Sequence, residues 1–133
     1  MKRDSGDKIK NIDELTRILV NLRKQNKKIA HCHGVFDLLH PGHIKHFQAA
    51  KKKADILVVT ITKDEYVNKG PGRPIFNHHL RTENIAAIEC VDYVAINEWP
   101  TAVEIIKKLK PNYYVKGCWY QSPIKLSEGI LLF

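Results

Sequence analysis

The chain has 133 residues, of which 44% are hydrophobic and 27% charged, and its formal net charge is +8. This length and composition predict one globular domain with one core, and they exclude a disordered chain. The longest apolar stretch, residues 56–61, is too short to span a bilayer. The positive charge favours anionic partners; the alternative is that most of the lysines simply lie on solvent-exposed helix faces.

The first segment, residues 1–10, is predicted to be a flexible polar tail. The next segment, residues 11–28, predicts a helix that Asn11 or Asp13 caps. Its apolar residues recur at helical spacing, at Ile12, Leu15, Ile18, Leu19 and Leu22.

A short strand is predicted to follow and to end at Gly34. Pro41 favours the first position of a helix, which we expect to run to Lys52. Residues 54–62 form a continuous apolar run, which is typical of a strand that is covered on both faces of a parallel sheet.

The remaining elements continue this alternation. Glycine and proline predict a loop over residues 68–77, and the periodicity predicts helices over 78–89 and 101–110 and strands over 90–97 and 112–117. Asn77 is the predicted cap of the first of these helices. The regular alternation predicts an α/β fold: a Rossmann-like, doubly wound parallel sheet with helices on both faces.

In such a sheet, ligands bind beyond the carboxyl ends of the strands, where the strand order reverses. Residues 34–43 would line that crevice, and Gly42 would let a ligand approach the backbone closely. His40 precedes the predicted helix and His43 lies in its first turn, beside free N–H groups at the positive end of the helix dipole. Both imidazoles can therefore reach one anion, and the sequence predicts a phosphate site.

Four stretches carry a resemblance to a known family: "GVFDLLHPGH", "KGPGRPI", "RTENIAAIECVDYV" and "LKPNYYVKG". Together they resemble the cytidylyltransferase-like nucleotidylyltransferases, whose mark is H-x-G-H, over roughly residues 10–117. Within that family the sequence is most similar to the heptose-1-phosphate adenylyltransferases, with the glycerol-3-phosphate cytidylyltransferases nearby. The resemblance implies that ATP or CTP, with Mg²⁺, is joined to a sugar phosphate or polyol phosphate as pyrophosphate leaves. Adenylyl transfer to a heptose-like phosphate is slightly favoured.

The resemblance also implies roles for individual residues. The residues implied to be catalytic are His40, His43, Lys69 and Arg81. Those implied to contact the nucleotide are Gly34, Val35, Phe36, Asp37, Gly42, Arg73, Lys116 and Gly117. Asp37 would fix the loop after the first strand or lie near nucleotide-bound magnesium. The alternatives are a turn or capping aspartate at Asp37, an exposed basic loop at Lys69 and Arg73, and a surface ion pair at Arg81.

The sequence departs from the family's pattern at two places. Cys118 and Trp119 follow "VKG", where the family usually has Gly-Asp, and no Ser/Thr-rich segment follows before Phe133. We therefore expect residues 11–133 to form a single domain without the usual C-terminal phosphate-binding segment. A non-catalytic nucleotide-binding module is the alternative to the enzyme.

Other classes of function have weaker support. The histidines match no structural zinc spacing, and no aromatic residue adjoins the lysine run at residues 51–53, which argues against nucleic-acid binding. Three scattered cysteines and the lack of an apolar leader indicate a reduced, cytoplasmic protein. Apolar residues in 124–133 suggest a homodimer.

Overall fold

The computed structural model describes residues 4–116 and the backbone of residues 124–125 and 131–132. The helices are α1 (Ile12–Lys24), α2 (Pro41–Lys52), α3 (His78–Ala86) and α4 (Val103–Leu109). The strands are β1 (Ile29–Gly34), β2 (Ile56–Thr62), β3 (Tyr93–Asn97), β4 (Tyr113–Tyr114), β5 (Ile124–Lys125) and β6 (Leu131–Leu132). The longest helix has 13 residues, and no helix within the described ranges is long and apolar enough to cross a membrane.

The six strands form one sheet in the order β3-β2-β1-β4-β6-β5. Every neighbouring pair is parallel except β5 and β6, which are antiparallel. The predicted doubly wound α/β fold is confirmed for β1 to β4, and the last two strands extend the sheet beyond the prediction.

The ends of the helices follow from local chemistry. The Asn11 side chain accepts the Glu14 N–H at 2.8 Å, and Asn77 accepts the Leu80 N–H at 2.9 Å, so both asparagine caps are confirmed. Helix α2 has the predicted bounds. Helix α4 ends where Lys110 takes a left-handed φ of 50°.

The helices cover both faces of the sheet. One face packs against α2 and α3 through a cluster that contains Phe47, Ala50, Ile85 and Ala86. The other packs against α1 and α4 through Leu15, Leu19, Ile105 and Leu109. Because β1 carries both clusters at the centre of the sheet, its carboxyl end is held rigidly from both sides.

The prediction of a flexible tail over residues 1–10 is wrong for its described part. Residues 5–8 form a 3-10 turn, and Ile9 bridges Val94 in the edge strand β3. The Lys10 N–H donates to the Val94 carbonyl at 3.0 Å, and Lys8 Nζ donates to the Ile88 carbonyl at 3.0 Å. These contacts cover part of an edge whose backbone groups would otherwise be unpaired.

The strand order reverses beside β1, and this reversal positions the crevice. Strand β1 pairs with β2 on one side and with β4 on the other. The chain leaves β1 at Gly34 towards α2, whereas it reaches β4 through α4 on the opposite face. The carboxyl ends of β1 and β4 therefore border the site at which a ligand is expected.

Candidate active site

The first turn of α2 places two imidazole rings at the carboxyl edge of the sheet. His40 Nδ1 accepts the Gly42 N–H at 3.0 Å, and His43 Nδ1 accepts the His40 N–H at 3.2 Å. Because each Nδ1 acts as an acceptor, each neutral ring carries its proton on Nε2. The start of α2 therefore leaves two Nε2–H donors beside the positive end of the helix dipole.

The two rings lie against each other at the start of α2. Their centroids are 4.0 Å apart with an angle of 37° between the ring planes. Desolvation, and then the nearby charges of His40, His46 and Lys69, lower the pKa of His43. The lowered pKa favours a neutral His43, whose Nε2–H can donate to an anion without first binding a proton.

Two glycines of this region lie against aromatic rings. Phe36 has a φ of 49°, which is costly for a residue with a side chain, and its ring packs edge-on against His43 and Phe47. A Cβ on Gly34 would lie 2.8 Å from Phe36 Cζ, and a Cβ on Gly42 would lie 2.6 Å from His40 Cε1. Close approach of the nucleotide to these glycines stays a prediction.

Asp37 fixes the loop before α3. It is buried, and its carboxylate accepts hydrogen bonds from Arg73 Nε at 2.7 Å and from the N–H groups of Ile75 at 2.7 Å and Phe76 at 2.9 Å. Burial opposes ionisation, but these bonds and the Arg73 charge outweigh it and lower the pKa of Asp37. Of the two predicted roles, the geometry favours holding the loop.

Arg81 joins three loops from a buried position. Its side chain is fully buried, and its nitrogens donate to the Phe76 carbonyl at 2.9 Å, to the Val35 carbonyl at 2.9 Å and to Asp64 at 2.6 Å. Because it is fully buried, Arg81 is not a surface ion pair. Three of its five N–H groups are directed at protein acceptors, and its contact with a phosphate stays a prediction. It positions three loops at the edge of the crevice.

The remaining predicted cations are Lys69, Arg73 and Lys116, and they differ in exposure and in partners. Lys69 is exposed in a loop with left-handed glycines at positions 70 and 72, and it lies close enough to lower the pKa of His43. Arg73 is partly exposed and held by Asp37. Lys116 is exposed, two residues after β4, and Gly117 lies outside the described residues.

The donor set does not suit a protein-held magnesium ion. Among the described residues, no group of three or more histidine, cysteine, aspartate or glutamate side chains is arranged to hold a metal. Asp37, the one candidate ligand, already accepts three hydrogen bonds. Binding of a divalent ion together with the phosphates of a nucleotide stays a prediction.

Asp64, which was not among the predicted site residues, lies two residues after β2 in a 3-10 turn and pairs with Arg81. Its backbone N–H donates to His78 Nδ1 at 3.1 Å, which joins this turn to the start of α3. A signal was present, because an acidic residue just beyond a buried strand lies at the ligand-binding edge of a parallel sheet.

The chain is similar in sequence to known proteins over most of its length. The model of the cytidylyltransferase-like family matches residues 31–128. The bifunctional protein HldE of Trichlorobacter lovleyi is 41% identical over 117 residues, which are 86% of this chain and 24% of that protein. HldE of Aliarcobacter butzleri is 38% identical over 131 residues, which are 97% of this chain and 28% of that protein. The chain thus spans about a quarter of the length of these curated relatives.

Two solved structures share the fold. The lipopolysaccharide core biosynthesis protein of Thermoplasma volcanium aligns with a TM-score of 0.62 and 28% identity, over 67% of this chain and 73% of that chain. Pantoate-beta-alanine ligase of Francisella tularensis aligns with a TM-score of 0.61 and 20% identity, over 80% of this chain and 55% of that chain. The second likeness shows the fold alone.

Proposed function

Because the chain belongs to the cytidylyltransferase-like family, we propose that it is a nucleotidylyltransferase that joins a nucleotide to a sugar phosphate or polyol phosphate. The observation that carries this proposal is the pair of Nε2–H donors of His40 and His43 at the start of α2. Two N–H donors at a helix N-terminus suit the binding of a triphosphate.

In the proposed reaction, a phosphate oxygen of the acceptor attacks the α-phosphorus of the nucleoside triphosphate. A new P–O bond forms, the bond from the α-phosphorus to the bridging oxygen breaks, and pyrophosphate leaves with the electron pair. The acceptor phosphate is already ionised at neutral pH, so no general base is required. Positioning and charge stabilisation therefore supply the catalysis.

The proposal gives each part of the site a task. His40 and His43 donate their Nε2–H groups to phosphate oxygens. Lys69, in the loop before α3, and Lys116, after β4, add positive charge. Arg73 lies in the loop before α3 and contacts the nucleotide, while Asp37 and Arg81 hold that loop in place. Magnesium, carried by the triphosphate, would neutralise part of its charge.

Adenylyl transfer from ATP to a heptose-like phosphate is the reaction that we favour within this class. It is supported by relatives named HldE at about 40% identity over most of this chain and by the resemblance of the motifs to heptose-1-phosphate adenylyltransferases. Cytidylyl transfer to glycerol phosphate is the alternative within the same chemistry.

Pyrophosphate release tests the proposal. The chain is incubated with Mg²⁺, ATP or CTP, and a panel of heptose, glycerol and ribitol phosphates. His43→Ala removes one Nε2–H donor, and His79→Ala, at an exposed position in the first turn of α3, is the matched control. We expect release with one nucleotide and one acceptor that is lost in His43→Ala and kept in His79→Ala.

The other outcomes separate the alternatives. If no pair releases pyrophosphate but the chain binds a nucleotide and His43→Ala abolishes that binding, the protein is a non-catalytic nucleotide-binding module. If neither release nor nucleotide binding is detected at millimolar concentrations, both proposals fail.

A further inference from the structure

Four polar side chains form a continuous hydrogen-bonded row across β1 and β2, on the face that packs against α1 and α4. His31 Nε2 lies 2.7 Å from Thr60 Oγ1, and the same hydroxyl lies 2.8 Å from His33 Nδ1. His33 Nε2 is 3.4 Å from Thr62 Oγ1, which is 3.4 Å from the Gly34 carbonyl. We call these four residues, His31, Thr60, His33 and Thr62, the polar row.

One nitrogen of the polar row is unpaired among the described residues, and it indicates which ring nitrogens carry the protons. His31 is fully buried, and its Nδ1 has no hydrogen-bond partner among the residues that the structure describes. A buried N–H without a partner is rarer and costlier than a buried lone pair without one. His31 therefore carries its proton on Nε2 and donates it to Thr60.

The directions of the remaining hydrogen bonds follow from the fact that each threonine hydroxyl has a single proton to donate. Since Thr60 accepts from His31, its own proton is directed to His33 Nδ1, which must be an unprotonated acceptor. The neutral His33 ring then carries its proton on Nε2. Thr62 can donate to the Gly34 carbonyl. Each hydrogen bond in the row is therefore donated in the direction of the crevice.

His33 Nε2–H has spare capacity at the mouth of the crevice. His33 is the penultimate residue of β1 and is only partly buried, and its contact with Thr62 is long at 3.4 Å. Burial lowers the pKa of His33 to about 4, so the ring is uncharged at neutral pH. An uncharged donor with a weak internal partner suits a neutral oxygen such as a hydroxyl.

His33 lies on a different face of the sheet from His40 and His43, the proposed phosphate-binding pair. His40 and His43 begin α2, which packs on one face of the sheet, whereas the polar row lies on the other face, with Ile29 and Val58 of the second cluster. The nearby amide of Asn97 is not available, since it already donates to the carbonyls of Trp99 and Thr101. Among the polar groups that end β1 to β3 on this face, His33 has the donor left for a ligand.

We propose that His33 donates its Nε2–H to a hydroxyl oxygen of the phosphorylated sugar or polyol, and that His31 and Thr60 are positioning residues that keep the proton on Nε2. The proposal rests on the proposed function, because it assigns the acceptor of that reaction to the face opposite α2. His33 thereby helps to select an acceptor by its hydroxyl pattern.

The proton order is tested without any turnover, by NMR of the histidine side chains. The expected result is the Nε2–H tautomer at both His31 and His33 near pH 7. Thr60→Ser should keep this tautomer, whereas Thr60→Val removes the hydroxyl and should produce a mixture at His33. An Nδ1–H tautomer at His33 in the unaltered chain would overturn the proposal.

Kinetics test the recognition of the acceptor. His33→Phe keeps a ring and removes the donor, and His79→Phe is the exposed control. We expect the KM for the acceptor to rise roughly tenfold or more in His33→Phe, as for a lost hydrogen bond, while the KM for the nucleotide changes less than twofold. A deoxy acceptor that lacks the recognised hydroxyl should remove the difference between His33→Phe and the unaltered chain.

Two results would contradict this role. If the KM for the acceptor is unchanged in His33→Phe, or rises together with that for the nucleotide, His33 does not read the acceptor. If the unaltered chain releases no pyrophosphate, the proposed function fails separately. Titration with heptose 1-phosphate or glycerol 3-phosphate then decides the inference, because a bound hydroxyl must shift the His33 Nε2–H resonance and no shift with either compound overturns it.

Discussion

Gly42 occupies a position in the first turn of α2 where any side chain collides with the ring of His40. A Cβ there would lie 2.6 Å from Cε1 and 2.9 Å from Nδ1 of that ring. The ring can swing away, and it then loses its hydrogen bond to the Gly42 N–H. A side chain at position 42 would therefore change the orientation of the His40 Nε2–H donor, while the fold would be little affected.

We predict that Gly42→Ala weakens nucleotide binding about tenfold while the free energy of unfolding changes by less than about 1 kcal/mol, because alanine also favours the helix. Calorimetric titration with ATP and CTP and urea unfolding measure the two effects. Gly6→Ala is the matched control, since a Cβ at position 6 meets nothing closer than 3.9 Å. Unchanged nucleotide affinity in Gly42→Ala would contradict this account of His40.

Asp37 also acts at the scale of a single residue, through three hydrogen bonds to the loop before α3. In Asp37→Asn, an amide nitrogen must face one of these donors, and a buried donor is then left unpaired. We expect a loss of about 1–3 kcal/mol in the free energy of unfolding, measured by urea denaturation. Asp7→Asn, in the exposed 3-10 turn, should change it by less than about 0.5 kcal/mol, and an equal effect in the two variants would refute the role of Asp37.

At the scale of elements, Arg81 joins parts of the chain that are far apart in sequence. One guanidinium binds the loop after β1 at Val35, the turn after β2 at Asp64 and the loop before α3 at Phe76. These segments form the rim of the crevice. Their relative positions thus depend on one planar, buried cation.

We predict that Arg81→Lys lowers the free energy of unfolding by about 2–4 kcal/mol, since a lysine cannot replace three directed hydrogen bonds. Hydrogen exchange should also quicken around residues 64–66 and 75–77, where the bridging contacts are lost. Arg17→Lys, at an exposed position in α1, is the control. If Arg81→Lys abolishes turnover while stability and exchange match the control, Arg81 acts on the substrate directly.

At the scale of the whole molecule, buried histidines make the fold sensitive to acid. Burial, with a smaller contribution from His33, lowers the pKa of His31 to about 3, and burial lowers that of His33 to about 4. The pKa values of His43 and His46 are also lowered, mainly by desolvation. The unfolded chain therefore binds protons below about pH 6.5 that the folded chain does not.

We predict that the free energy of unfolding falls as the pH falls from about 6.5 towards 4, by up to about 1.4 kcal/mol per pH unit for each of His31 and His33. Asp37, whose pKa is lowered, contributes a loss in the same direction at lower pH. Urea unfolding at several pH values measures the slope, and His33→Asn should reduce it by about one proton. A stability that does not change between pH 7 and pH 5 would contradict the prediction.

The predicted homodimer also belongs to this scale and stays a prediction. It depends on apolar residues in 124–133, whose side chains lie outside the described residues. Sedimentation of the chain at micromolar concentration distinguishes a dimer from a monomer.

The sequence by itself determined the local elements and the placement of His40 and His43 at the start of α2. Asn11, Asn77 and Pro41 act within a few residues of their own positions, so their effects on helix starts can be predicted from the chain alone. The same holds for His40 and His43, because their hydrogen bonds span only two or three residues. The alternation of strands and helices likewise restricted the fold to a doubly wound sheet.

Only the tertiary structure decided which polar groups are free and which are already paired. Asp37 meets partners 36 to 39 residues away, Arg81 reaches a carbonyl 46 residues away, and His31 meets Thr60 across 29 residues. Such pairings depend on strand order and register, which place distant segments side by side, and no local pattern encodes them. The physical reason is that a charged or polar residue can be buried once the fold brings it a partner, and only the folded chain shows where that has happened.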